Sequence, residues 1–284
     1  MATRKIDNFE LRLVPMEMAH IPRLHELSIA VNWPHRPEDW AAALSLGQGV
    51  VALDEIDRPV SSAMIFPVGK DIVTIAMVIT SPRLQDQGAA RWLMGEMLRR
   101  SKGKVRRLNA TKAAYRLYVS LGFQPVTEIY QHQGIAHAVS GQDGRVRRLE
   151  RTDRDNILDA DLRAYGSDRR HVIDHFLAMS EGTVLETEGR FAGYALCHRF
   201  GRGHVLGPVI AACEDDAVAL IRPLIAAHHG AFLRMDTPKP GGPLQGELAA
   251  AGMSLFDTVT TMQSGATAPP SGAAIYGLAG HAFG

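Results

Sequence analysis

The chain has 284 residues, about the length of two ordinary domains, and its 31 basic and 30 acidic side chains leave a net charge of +1. This balance provides no basic field for nucleic acid, and the longest strongly apolar run, residues 72–79, is far shorter than the ~20 residues that span a bilayer. Two cysteines cannot build a disulfide framework or a four-ligand zinc site. We therefore expect a cytoplasmic protein without nucleic-acid or membrane partners.

The first half of the chain alternates predicted strands and helices. In chain order, the hydrophobic pattern predicts a strand at 9–14, helices at 21–31 and 37–46, strands at 50–53, 60–66 and 72–80, and a helix at 87–100. Residues 72–80 are almost wholly apolar and β-branched, which is typical of a central strand buried on both faces. In the last helix, the expected buried side chains are Trp92, Leu93, Met97 and Leu98.

A polar, glycine-containing stretch at 140–144 separates this half from a second one of similar order, so we place two domains at 1–143 and 144–284. The second half predicts a strand at 145–149, helices at 153–162 and 172–179, strands at 182–186, 191–198 and 205–211, a helix at 214–227 and a strand at 231–235. In the segment after Ser264, we expect four side chains to dock onto a core: Ile275, Tyr276, Leu278 and Phe283. The order indicates a structural duplication with diverged sequence.

A loop with anion-binding character follows the strand at 72–80. Gln85, Gly88 and Ala90 form a Gln-x-x-Gly-x-Ala pattern that runs directly into a helix. A glycine lets backbone N–H groups approach an anion, and the unpaired amides of a helix N-terminus stabilise its charge. A tight turn between strand and helix explains the same residues equally well.

A second pattern lies about 20 residues further on, where Asn109 precedes a short helix in which Tyr118 stands four positions before Gly122-Phe123. Together the two patterns resemble the GNAT superfamily of acyl-CoA-dependent N-acetyltransferases, over about residues 8–140. The resemblance implies an α/β (α+β) fold of two GNAT-like domains, each a mixed, mostly antiparallel sheet flanked by helices. It also implies acetyl-CoA as co-substrate and requires no metal.

The resemblance assigns roles to individual residues. The backbone of Val78, Ile79 and Thr80 would pair with the pantetheine arm, and Asn109 would lie beside the cofactor. Tyr118 would protonate the leaving thiolate. The pyrophosphate would be cradled by the amides of Gln85, Asp86, Gln87, Gly88, Ala89 and Ala90.

Two residues of the loop depart from the family pattern, and the sequence offers no clear general base. Asp86 stands where the family usually has glycine and Ala90 replaces the commoner final glycine, so we expect retained but weakened acyl-CoA affinity. No acidic residue lies on 72–80 to serve as general base. Asp71 and Glu128 read as surface charges and a water chain would serve instead, so no base is assigned.

Aromatic residues between the first two helices are candidates for an acceptor pocket. The family builds much of its acceptor site there, and Trp33, His35 and Trp40 suit a small amine or amino-acid acceptor. Burial of the tryptophans as ordinary core explains them equally well.

The second half lacks the chemistry of the first, although it resembles the C-terminal domain of tandem GNAT proteins through 191–196, 206–209 and 248–253. No Gln-x-x-Gly loop follows its central strand, and the acidic run at 214–216 would repel a pyrophosphate, so we expect a degenerate domain that binds no CoA. His171 and His175 share a helix face but lack a third metal ligand, and an exposed polar face explains them.

These observations predict an N-acetyltransferase that moves an acetyl group from acetyl-CoA to a primary amine, the acceptor being a small molecule. The alternative is a non-catalytic GNAT scaffold that senses acyl-CoA or another metabolite, and a third is an interaction protein without ligand. The sequence leaves the acceptor, the acyl preference and the oligomeric state open.

Overall fold

The computed structural model describes residues 3–6, 9–141, 143–267 and 272–284. The chain divides into two compact units, Met1–Leu108 and Asn109–Gly284. None of the helices within the described ranges combines the length and apolar character needed to cross a membrane.

The first unit is a mixed sheet with helices packed on it. Its elements are β1 (Thr3–Ile6), β2 (Phe9–Pro15), α1 (Ile21–Ala30), α2 (Pro37–Leu46), β3 (Gln48–Leu53), β4 (Pro59–Val68), β5 (Ile72–Thr80), α3 (Ala89–Arg100) and β6 (Val105–Ala110), within which the unit ends. The strands follow chain order across the sheet, and all neighbours are antiparallel except β5 and β6. Helix α3 follows the buried central strand β5 in the chain and packs on β4 and β5.

The second unit repeats this plan with more strands. Its elements are α4 (Tyr115–Ser120), β7 (Gln124–Ile135), β8 (Val146–Arg148), α5 (Arg154–Tyr165), α6 (Arg170–Met179), β9 (Glu181–Thr187), β10 (Arg190–Phe200), β11 (Gly203–Ala211), α7 (Glu214–Ala227), β12 (Phe232–Thr237), α8 (Pro243–Ala250), β13 (Ser254–Ser264) and β14 (Ala274–Gly277). The order is β13-β7-β12-β11-β10-β9-β8, with β14 also paired to β11. Only β11 and β12 run parallel among these neighbours.

Two apolar clusters cover the two faces of this second sheet. Along β10, Ala195 and Cys197 belong to the cluster that contains α7 and α8, whereas Tyr194 and Leu196 belong to the cluster that contains α5 and α6. This alternation is the period of two that a strand buried on both faces requires. The mixed, mostly antiparallel sheet flanked by helices confirms the predicted fold class.

Most predicted elements are present, with differences at particular positions. Helix α3 begins at Ala89 rather than 87, because Gly88 holds a left-handed conformation with φ of 90° that ends the preceding loop. Trp92 and Leu98 are only half-buried, so their predicted burial is wrong, while Leu93 and Met97 are buried as expected. The docking of Tyr276 and Leu278 is confirmed, since each is 7% exposed.

The domain boundary placed at 143/144 from the sequence remains a prediction. The compact units of the structure divide at another position, after Leu108. The difference comes from β7, which lies before residue 143 in sequence but pairs with β12 on one edge and β13 on the other. Both partners lie far beyond residue 143, so contacts group β7 with the later part of the chain.

Candidate functional site

The central strand of the first unit carries a β-bulge. Ser62 pairs with Ile79 and Met64 with Ala76, so a single residue of β4 is opposed by both Met77 and Val78. Met77 adopts φ of 53°, in the left-handed region that a non-glycine residue rarely occupies. The Ser62 hydroxyl donates to the Met77 carbonyl at 2.8 Å and so satisfies a backbone group that the bulge takes out of the ladder.

From Ile75 to Thr80, β5 has a partner on one edge only among the described strands of the first unit. Its other edge pairs with β6 through Ile72–Thr74, opposite Val105–Arg107, and within the first unit this pairing goes no further. The stretch from Ile75 to Thr80 therefore presents backbone donors and acceptors along an edge that no strand of this unit covers. The predicted pantetheine-binding residues Val78, Ile79 and Thr80 lie on this stretch.

Ser61 fixes the end of the same strand from the opposite edge. Its hydroxyl donates to the Ile79 carbonyl at 2.7 Å and lies 2.9 Å from the Thr80 hydroxyl oxygen. Ser61 and Ser62 are both fully buried, and the two hydroxyls hold the bulged end of β5 in one geometry.

The loop between β5 and α3 has the backbone of an anion cradle. A short 3₁₀ turn at Pro82–Leu84 leads to Asp86 with φ of 62° and Gly88 with φ of 90°. The first intrahelical bond runs from the Trp92 amide to the Gly88 carbonyl at 3.0 Å, so the amides before Trp92 have no acceptor inside the helix. A Cβ built on Gly88 would meet no atom within 4 Å, so the space beside this residue is open.

Charged residues of both signs lie in and next to this loop. The first turn of α3 contains no acidic residue, and Arg91 lies there. Asp86 is exposed and, among the described residues, forms no salt bridge. The side chains of Gln85 and Gln87 turn back onto the loop, where they donate to the carbonyls of Thr80 and Arg83 at 3.3 Å each.

Tyr118 and Asn109 belong to the second unit. Tyr118 is 5% exposed, and burial raises the pKa of its hydroxyl, which is therefore protonated at neutral pH. Asn109 is committed to local structure: its Oδ1 accepts from Thr261 Oγ1 at 2.6 Å and its Nδ2 donates to the His281 carbonyl at 2.8 Å. Its side-chain amide is thus already engaged at both ends, and its place beside a cofactor stays a prediction.

The three aromatic residues proposed for the acceptor pocket differ in exposure. Trp40 is fully buried, and its indole N–H donates to Ser28 Oγ at 2.9 Å, which ties α2 to α1. This matches the core alternative for Trp40. Trp33 and His35 are half-buried with ring centroids 5.4 Å apart, so they retain surface that an acceptor could contact.

Comparisons with known proteins identify the family to which both halves of the chain belong. Models of the acetyltransferase (GNAT) domain match residues 32–139 and 157–277. The uncharacterized N-acetyltransferase YitH of Bacillus subtilis (strain 168) is 23% identical over 278 residues, which cover 96% of this chain and 98% of YitH. The chain belongs to the GNAT acetyltransferases.

Solved structures share the fold of both GNAT domains. A candidate acetyltransferase from Pyrococcus horikoshii superposes with a TM-score of 0.80 at 17% identity, covering 96% of each chain. A tandem GNAT protein from the clavulanic acid biosynthesis pathway superposes with a TM-score of 0.66 at 13% identity, covering 91% of this chain and all (100%) of the other. The tandem arrangement inferred from the sequence is thereby confirmed.

In the second GNAT domain, two carboxylates in the first turn of α7 take part in structural contacts. Glu214 Oε1 accepts the Leu244 amide at 3.0 Å and caps α8, while Asp216 accepts from Arg145 at 2.9 Å. Asp174, between the two histidines considered for a metal, pairs with Arg154 at 2.7 Å. Across the described ranges there is no group of three or more metal-ligating side chains.

Sequence reasoning did not find the serine pair that supports the GNAT central strand. Ser61 and Ser62 sit in the predicted strand at 60–66, where consecutive buried hydroxyls among apolar residues are the available signal. The general base remains unassigned: Asp71 and Glu128 are both exposed, and Glu128 accepts the Tyr130 hydroxyl at 2.9 Å.

Proposed function

We propose that the first GNAT domain binds acetyl-CoA and that the protein transfers the acetyl group to the primary amine of a small molecule. The observation that carries this proposal is the edge of β5 from Ile75 to Thr80, which has no partner strand in its own unit and ends at the loop of Gly88. An extended pantetheine arm would use the backbone groups of that edge, and the amides before Trp92 would face the pyrophosphate.

The thioester of acetyl-CoA supplies the activated acetyl group, and the protein's residues handle charge and protons around it. When the neutral amine attacks, the C–N bond forms first, and a backbone amide near Ile79 or Thr80 would stabilise the resulting oxyanion. The C–S bond then breaks as the oxyanion collapses, and the nitrogen loses its surplus proton to water. Tyr118, which burial keeps protonated, would donate its proton to the leaving thiolate. Trp33 and His35 would border the acceptor, and their half-buried rings favour a compact amine over a protein segment.

The alternative function is a non-catalytic sensor of acyl-CoA on the same scaffold. Two observations favour it: Asp86 places a carboxylate beside the anion cradle, and no described acidic residue lies on β5 to act as base. The two functions share the binding site and differ in turnover. Release of CoA from acetyl-CoA in a screen of primary amines distinguishes them.

The binding site itself is tested by calorimetric titration of the whole protein with acetyl-CoA. We expect one site per chain, and we expect Gly88→Asp to weaken binding at least about tenfold, because its carboxylate enters the open space beside this position and repels the pyrophosphate. Gly88→Asn is the matched control, since asparagine tolerates the same left-handed backbone without the charge.

Wild-type affinity in both Gly88→Asp and Gly88→Asn would contradict the loop assignment. Loss of binding in both would attribute the effect to the backbone at φ of 90° rather than to charge. Two sites per chain would show that the second domain also takes acetyl-CoA.

A further inference from the structure

The central strand of the second domain, β11, has both edges occupied. One edge pairs with β10 from Gly203 to Ile210. The other edge pairs with β12 only at His204 and Val205, and then with β14 at Val209–Ala211. The strand β14 therefore occupies the place where β11 and β12 separate.

The first unit has the same layout, but none of its described strands takes the place that β14 takes in the second. In each domain the central strand is antiparallel to the strand before it and parallel to the strand that follows the next helix. In each, the parallel pairing is confined to the start of the central strand. The rest of that edge of β5 pairs with no described strand of the first unit. The corresponding edge of β11 pairs with β14.

Residues 274–284, the closing segment, fit this cleft through backbone as well as side chains. The Leu278 amide donates to the Asp236 carbonyl of β12 at 2.9 Å, so the segment bridges both separated strands. A Cβ built on Gly207 of β11 would collide with the Leu278 carbonyl oxygen. Glycine at position 207 therefore leaves the room that the Leu278 carbonyl oxygen occupies.

A buried arginine holds the far end of the closing segment. Arg169 is 1% exposed and forms a bidentate pair with Asp161 at 2.7 and 2.9 Å. Its remaining nitrogen donates to the carbonyls of Phe283 and Gly284. Because an unsatisfied buried guanidinium N–H is costly, these two carbonyls favour the docked position.

We propose that the second GNAT domain is a strand-binding groove whose ligand is the chain's own closing segment, and that this segment excludes acyl-CoA from the domain. The groove binds an extended peptide as an additional strand along the edge of β11 that β12 does not cover. Arg169 donates hydrogen bonds to the carbonyls at the end of that peptide. The proposal does not rest on the proposed function, because the pairing of β11 with β10, β12 and β14 carries it and none of these strands contains a residue assigned to acetyl transfer.

Hydrogen exchange on the whole protein tests the docking directly. We expect the amides of residues 275–278 to be protected at least about 100-fold against exchange, and saturating acetyl-CoA to change that protection less than about twofold. Exchange at unprotected rates overturns the proposal, and so does loss of protection on adding acetyl-CoA, which would mean that the cofactor displaces the segment.

A variant tests the fit at Gly207. Gly207→Ala should lower the protection of 275–278 about tenfold or more while the amides of α7 stay protected, because the new methyl group meets Leu278. The matched control is Gly246→Ala in α8, where a Cβ meets no atom within 4 Å. Unchanged protection in Gly207→Ala contradicts the proposal.

The two proposals fail separately in these experiments. A protected segment with no acetyl-CoA binding anywhere rejects the proposed function and leaves the groove intact. An unprotected segment with one normal site rejects the groove and leaves the proposed function intact.

Discussion

At the scale of single residues, Tyr118 is the side chain that the proposed function assigns as proton donor. Its hydroxyl forms no hydrogen bond with the described residues, and burial raises its pKa, so it stays protonated across the neutral range. We expect Tyr118→Phe to lower kcat about 100-fold, the lower end of what a positioned acid contributes, while the Kd for acetyl-CoA changes less than about twofold.

Folding stability provides the control for Tyr118→Phe. Because the lost hydroxyl has no partner in the described structure, the melting temperature should stay close to that of the wild type. Unchanged turnover with any accepted amine would remove Tyr118 from the mechanism. An equal loss of binding and of turnover would make it a binding residue instead.

We expect the charge of Asp86 to oppose acetyl-CoA binding. Its carboxylate is exposed two positions before Gly88, on a backbone in the left-handed conformation with φ of 62°. Asp86→Asn keeps that backbone, removes the charge, and should tighten acetyl-CoA binding about fivefold, since two unit charges 4 Å apart in water interact by ~1 kcal/mol. The gain should shrink as salt is raised.

Asp57→Asn is the matched control for this change. Asp57 is also exposed and also has positive φ, at 59°, but it lies in the turn between β3 and β4 and pairs with Arg12. Its neutralisation should leave acetyl-CoA affinity unchanged. If Asp86→Asn binds no more tightly than Asp57→Asn, the carboxylate of Asp86 does not face the phosphates.

At the scale of elements, the bulge in β5 depends on a hydroxyl from its neighbour β4. Ser62 is fully buried and donates to the Met77 carbonyl, so Ser62→Ala leaves that carbonyl without its partner. We expect the free energy of unfolding to fall by about 1–3 kcal/mol, measured by urea denaturation.

Ser45→Ala in α2 is the comparison for Ser62→Ala, because it removes an exposed hydroxyl that also donates to a backbone carbonyl, that of Ala42. Its cost should stay within about 0.5 kcal/mol. Equal costs for the two variants would mean that the bulge does not need Ser62.

The sequence predicted elements better than it predicted how they pair. The loop from Gln85 to Ala90 could be found because glycine and small residues at a strand–helix junction leave a local pattern. The bulge at Met77 leaves no such pattern, since Ile72–Thr80 reads as one continuous strand and the extra residue appears only in register with β4. The burial of Trp40 likewise depends on Ser28, which lies on another helix.

At the scale of the molecule, β7 connects the two halves of the sequence within one sheet. It lies on the N-terminal side of residue 143, yet Phe232–Thr237 and Ser254–Gln263 supply its ladder partners. A chain of residues 1–143 alone would leave all of β7 unpaired on both edges, and long unpaired strand edges promote aggregation. We expect this fragment to aggregate, and co-expression with 144–284 to give a soluble 1:1 pair.

A cleavable full-length protein separates failure to fold from failure to associate. A protease site inserted between 142 and 143 and cut after folding should leave both halves bound to each other with an unchanged circular dichroism spectrum, because the ladders of β7 are already formed. A monomeric 1–143 with a sharp cooperative unfolding transition would contradict this prediction. It would mean that β7 finds other partners in the first half, and that the halves are independent domains joined by a linker.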